Sequence, residues 1–161
     1  DITLDDIYSV HPFGNTMCVI RVTGQQVLDA LEWGARAVPS ENGGFLQVSG
    51  LTYEIHTGIA SSAEKDENGM FTRVSGEYRV KNVMVGGQPL ELDKTYTLAS
   101  HNYMLLNHGD GYTMFDGCEV LGEDMMIDNQ VLITYITTTL GGVVGEQYAN
   151  PYGDGRIVAV E

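Results

Sequence analysis

Met17-Cys18-Val19-Ile20-Arg21-Val22-Thr23, followed without a break by Gly24-Gln25-Gln26-Val27-Leu28-Asp29-Ala30-Leu31-Glu32-Trp33-Gly34-Ala35, changes its apolar period in mid-stretch. Residues 17–22 read as a buried strand. Thr23 then supplies a helix N-cap side chain, and Val27, Leu28, Leu31 and Ala35 recur at the spacing that puts them on one inward helix face. The helix has to end before Pro39, which cannot continue it. One core therefore receives a strand and an amphipathic helix in direct succession.

Working outward, Thr3 and Asp6 bracket the start of a short capped helix carrying Leu4, Ile7 and Val10. It stops at the His11-Pro12 step, because the residue before a proline is pushed away from helical geometry. Phe13, Gly14 and Asn15 form a loop. Downstream, residues 45–48 and 51–56 read as two strands turning at Ser49-Gly50, a hairpin, while 57–69 reads as an exposed loop. Residues 78–85 and 95–100 are strand-like, with a turn signal at Gly86-Gly87 between them. Residues 101–106 resemble a short helix. After Asp128, Val131, Leu132, Tyr135, Ile136 and Leu140 fall at helical spacing, and 156–160 makes a closing strand. Helices and strands alternate without a regular βαβ repeat. The fold class predicted is α+β, a single domain over residues 1–161 with a mixed β-sheet packed with helices.

With 43% apolar residues the chain can bury a substantial core. Twenty-two Asp and Glu against eight Lys and Arg give a formal charge of −14, which repels a polymeric phosphate backbone and an anionic membrane surface. Neither polymeric nucleic acid nor a membrane span is expected as a partner or feature. Cys18 and Cys118 lack the spacing of a zinc pair or a redox dithiol and read as buried free thiols. The chain opens at Asp1 with no basic-then-apolar leader, and reads as a piece cut from a longer protein.

Three loops pair aromatic residues with glycines: His-Pro-Phe-Gly-Asn at 11–15, Gly-Gly-Phe-Leu-Gln-Val-Ser-Gly at 43–50 and Gly-Asp-Gly-Tyr at 109–112. Such loops let backbone and ring faces approach a flat ligand. Singly, each has a structural explanation: Phe13 as a plug over a helix end, Gly-Asp-Gly as a tight turn. In order with Val-Gly-Gly-Gln-Pro-Leu at 85–90, Tyr-Thr-Leu-Ala-Ser at 96–100 and Gly-Arg-Ile at 155–157, they resemble the 5'-nucleotidase C-terminal domain over nearly the whole chain.

That resemblance implies the substrate-binding domain of a secreted metallophosphoesterase, located outside the cell, in the cell wall or in the periplasm. Its ligand would be a nucleoside, nucleotide or nucleotide sugar. Two divalent metal ions would sit in an N-terminal catalytic domain and no cofactor in this one. Carried over by position, Phe13 and Tyr112 would clamp the base between two rings. Asn15 would hydrogen-bond a base edge or ribose, Asp116 would accept from ribose hydroxyls, and Gly14, Gly109, Asp110 and Gly111 complete the set. The Asn-Gly-Gly-x-Arg-like segment that precedes such domains is absent from this sequence. His108 stands where a second glycine is common, and either faces solvent or leans over the pocket.

Two rival readings differ in class. One is an adhesion or sugar-binding module of the same ancestry. The other is a free-standing hydrolase using Asp110, Asp116 and His108, which no Ser or Cys nucleophile signature accompanies. His11, His56, His101 and His108 fall in no Asp-x-His or Asn-His-Glu arrangement and read as surface or capping residues. Asp66-Glu67-Asn68-Gly69 lacks EF-hand ligand spacing and reads as a polar hairpin tip.

Overall fold

A computed structural model describes residues 1–150 and 153–161. Helix α1 (Leu4–Val10) opens with the predicted cap: Thr3 Oγ1 accepts from the Asp6 amide, and Asp6 Oδ2 accepts from the Thr3 amide at 2.7 Å. Strand β1 (Met17–Thr23) passes directly into α2 (Gly24–Ala35) through the same reciprocal device, here between Thr23 and Gln26. Cys18, Ile20 and Val22 point inward while Arg21 is exposed, so β1 is buried on one face only. Gly24 is required where α2 starts. Its amide donates to the Lys94 carbonyl, and a Cβ would lie 2.2 Å from the Glu91 carbonyl oxygen.

The remaining strands are β2 (Leu51–His56), β3 (Ala63–Lys65), β4 (Phe71–Val74), β5 (Val80–Val85), β6 (Gln88–Pro89), β7 (Thr95–His101), β8 (Glu119–Gly122) and β9 (Ile157–Val160). Helix α3 (Asn102–Leu105) follows β7, and α4 (Asp128–Thr134) widens into a single π-helical stretch, Tyr135–Thr139. The strands form three sheets: antiparallel β7-β1-β8, mixed β6-β5-β2-β9 and the ribbon β3-β4. In the mixed sheet β2 pairs antiparallel with β5 and parallel with β9. The α+β class holds, and the mixed sheet is one of three. Cys18, Ile20, Leu31, Trp33, Ile55, Val80 and Phe115 are among the residues of one continuous core.

Several sequence expectations change. Residues 45–48 form no strand, so the predicted hairpin is absent. Both edges of β2 are taken by β5 and β9, and the Val48 carbonyl instead accepts from Arg156 Nη1. The 57–69 loop contains β3. Its end is the predicted hairpin tip, where Asp66 Oδ1 accepts from the Asn68 and Met70 amides. Gly86-Gly87 turns β5 into the short β6, while β7 joins the other sheet beside β1. Cys18 is a buried free thiol and Cys118 a half-buried one. Among the described residues no helix is long and apolar enough to cross a membrane.

One buried polar group ties α2 to β5. Glu32 at 0% and Arg79 at 4% relative exposure lie under the C-terminal half of the helix. Arg79 Nη1 donates to the carbonyls of Val38 (2.8 Å) and Ala35 (3.4 Å), its Nη2 to that of Thr57 (3.5 Å), and the Val80 amide donates to Glu32 Oε2 (2.9 Å).

Candidate functional site

Three segments meet at one end of β1. The loop after α1 is stitched to α3 by a reciprocal pair, the Asn102 amide donating to the Thr16 carbonyl (2.8 Å) and the Thr16 amide to Asn102 Oδ1 (3.1 Å). It is stitched to the start of α4 by the Asp128 amide donating to the Asn15 carbonyl (2.9 Å). Between these ties Phe13 stands 84% exposed, beside Gly14 in the left-handed region at φ 66°. Phe13 is therefore no core plug. Asn15 is half-buried.

Helix α3 turns its Met104 and Leu105 inward and leaves Tyr103 44% exposed. Its N-cap is His101, whose Nδ1 accepts from the Met104 amide (3.3 Å), so the neutral ring carries its proton on Nε2. Its ring centroid lies 6.0 Å from that of Tyr103. Sequence reading missed Tyr103. The signal was there: one aromatic residue beside two apolar neighbours in a helix too short to bury all three.

The Gly-Asp-Gly turn is held from below. Trp33 Nε1 donates to the Asp110 carbonyl at 2.9 Å. A Cβ on Gly109 would lie 2.3 Å from Tyr103 ring carbons, and one on Gly111 would lie 2.7 Å from the Gly69 carbonyl oxygen. Both glycines thus serve close approach. Asp110 itself is in the left-handed region (φ 54°) and exposed.

Tyr112, expected as the second face of a clamp, is buried in this structure. It is 1% exposed, its hydroxyl donates to the Gly44 carbonyl, and its ring lies nearly parallel to Phe115, with centroids 6.3 Å apart. Burial pushes its phenol well above the ordinary tyrosine range. Neither ring face is open in this arrangement. Asp116 is exposed and contacts His108 Nε2, so the turn brings those two together, and His108 leans on a carboxylate. Among the described residues, Phe13 and Tyr103 are two exposed rings on the segments that meet at this end of β1.

Electrostatics make His101 informative. Burial holds its pKa below the ordinary histidine value, with the charges of Asp128 and Asp110 pulling the other way. A group whose folded pKa is depressed binds its proton more readily unfolded, so the stability it contributes is present above its unfolded pKa and lost as pH falls through the folded value. We expect the wild-type melting temperature to drop more between pH 7 and pH 5 than that of His101→Asn, whose amide oxygen can still cap α3. Parallel slopes in scanning calorimetry would count against it.

A separate cleft of about 690 Å³ opens between residues 46–51 and β7, lined by Val22, Leu31, Leu98 and Phe115 among others. It contains none of the expected ligand residues. Among the described residues, no group of three or more His, Cys, Asp or Glu is placed to hold a metal ion.

Comparison with known proteins bears on the family and the fold. The chain is 32% identical over 160 residues to the trifunctional nucleotide phosphoesterase protein of Bacillus subtilis, covering 99% of this chain and 10% of that one. It is 29% identical over 136 residues to a 5'-nucleotidase of Vibrio cholerae, covering 84% and 21%. The crystal structure of a 5'-nucleotidase precursor from Thermus thermophilus superposes with a TM-score of 0.78 at 30% identity, covering 99% of this chain and 28% of that one. The chain thus spans about a tenth to a quarter of these relatives. The pattern that defines the C-terminal domain of 5'-nucleotidases matches residues 1–117, and the chain belongs to that family.

Proposed function

We propose that this domain grips the nucleoside part of a nucleotide, or nucleotide sugar, for a 5'-nucleotidase-type phosphoesterase whose catalytic groups lie in another domain of a longer parent chain. The observation that carries the reading is the pair of exposed rings, Phe13 and Tyr103, on two segments joined by the Thr16–Asn102 hydrogen bonds. Any base presents a π-face, so two rings give affinity while placing little demand on base identity. Asp110 is the stronger candidate for the ribose. Its exposed carboxylate has no hydrogen-bond partner among the described residues, whereas that of Asp116 is engaged by His108. A free carboxylate has acceptor sites for both hydroxyls of a cis-diol. Asn15 remains placed to meet a base edge.

Hydrolysis in this reading needs the two divalent ions that the family resemblance assigns to an N-terminal domain, and this domain's residues bind and orient without taking part in it. The parent would work outside the cytoplasm, at the cell surface, in the cell wall or in the periplasm.

The reading is tested by titrating adenosine, with glucose as a control for the sugar-binding alternative, into wild type, Phe13→Ala, Tyr103→Ala and Tyr103→Phe. Each Ala variant is expected to lose roughly 1–3 kcal/mol, about 5- to 150-fold in affinity, while Tyr103→Phe keeps its ring and loses far less. The melting curve of Phe13→Ala should stay near wild type, because that ring is 84% exposed. Binding of adenosine by both Ala variants as tightly as by wild type would sink the clamp.

A further inference from the structure

The Phe13 ring has a positioning problem. At 84% exposure its side chain packs on almost nothing, and the next residue, Gly14, stands in open space with left-handed backbone. Neither feature holds a ring where a base can meet it. Whatever sets its place must act on the ends of the 11–15 loop.

Both ends lead to one residue. The Asp128 amide donates to the Asn15 carbonyl at 2.9 Å, and Asp128 Oδ2 lies 3.8 Å from His11 Nδ1. The other carboxylate oxygen accepts from the Asn129 amide at 2.7 Å. Asp128 is 6% exposed, although charged side chains are seldom buried without a partner. We infer that Asp128 is the positioning residue of the stacking site, touching no ligand but fixing the Phe13 ring by holding the loop at His11 and at Asn15.

This rests on Phe13 stacking against a base. The His11 contact is too long for a good hydrogen bond and acts as an ion pair when the imidazole is protonated.

The experiment is a double-mutant cycle read by adenosine titration: wild type, Phe13→Ala, Asp128→Asn and the double variant, with His11→Gln alongside. Coupled positions typically interact by an amount that corresponds to about 2- to 150-fold in affinity. Asp128→Asn should weaken binding within that range when Phe13 is present and leave it unchanged when position 13 is Ala. His11→Gln should weaken binding in the same direction as Asp128→Asn. If Phe13→Ala weakens binding but Asp128→Asn binds as wild type, or loses equally in both backgrounds, the positioning role is wrong and the stacking reading survives. If Phe13→Ala itself binds as wild type, stacking fails and the positioning role fails with it. Should melting show that Asp128→Asn does not fold, His11→Gln takes its place in the cycle with the same expected outcomes.

Discussion

Arg79→Met should unfold more easily than wild type by about 1–3 kcal/mol for each buried carbonyl it leaves without a donor. The guanidinium donates to three carbonyls, at Ala35, Val38 and Thr57, of which Ala35 also accepts from the Val38 amide. Methionine fills similar volume and restores none of those donors. It also strands Glu32, whose Oε1 already lacks a partner. Burial pushes the Glu32 carboxyl above the ordinary carboxylate range, while the Val80 and Arg79 amides and the Arg79 charge pull it back. The double variant Glu32→Gln with Arg79→Met should recover part of the loss, because the unpaired charge has gone. Urea melts supply the readout: the midpoint should fall without a change of slope. A midpoint within about 1 kcal/mol of wild type, by the same conversion, would mean the pair is dispensable.

Tyr112→Ala is expected to cost about 3–5 kcal/mol of stability, the range for truncating a buried aromatic ring, and to leave adenosine affinity unchanged wherever the protein is folded. The ring fills space between Phe115 and Gly34, and its hydroxyl satisfies the Gly44 carbonyl. Tyr112→Phe keeps the packing and drops one hydrogen bond, a loss of about 1 kcal/mol. Calorimetric titration beside thermal melting separates stability from binding. A Tyr112→Ala variant that melts near wild type yet loses adenosine binding would show that the ring swings out to the ligand, and Tyr103 would lose its place in the clamp.

The burial of Tyr112 beside the exposure of Tyr103 shows what the sequence could carry. The caps at Thr3 and Thr23, the one-face strand between them and the hairpin tip at Asp66 were legible, because each is decided within a few residues by hydrogen bonds the chain makes to itself. Residues 45–48 were not. A short apolar run suits a strand or an irregular buried segment equally, and the choice was made by β5 and β9 occupying both edges of β2. The partner of β7 was hidden for the same reason. At the expected site, glycine-flanked aromatics did not say which ring faces out. That depended on Trp33, 77 positions from Asp110 in sequence, taking the Asp110 carbonyl and fixing the turn so that Tyr112 points into the core.

The parallel pairing of β2 with β9 has a consequence for biosynthesis. Tyr53 through His56 lie beside Ile157 through Val160, about a hundred positions later in the chain. A ribosome adding about 5–20 residues per second needs several seconds to make that interval. Throughout it the nascent polypeptide carries β2 with one hydrogen-bonding edge bare, an edge on which another chain can add a strand. The mixed sheet is therefore completed only once residues 157–160 have been made, and a chaperone that shields residues 51–56 during that interval should raise the yield of folded protein more than one acting after it.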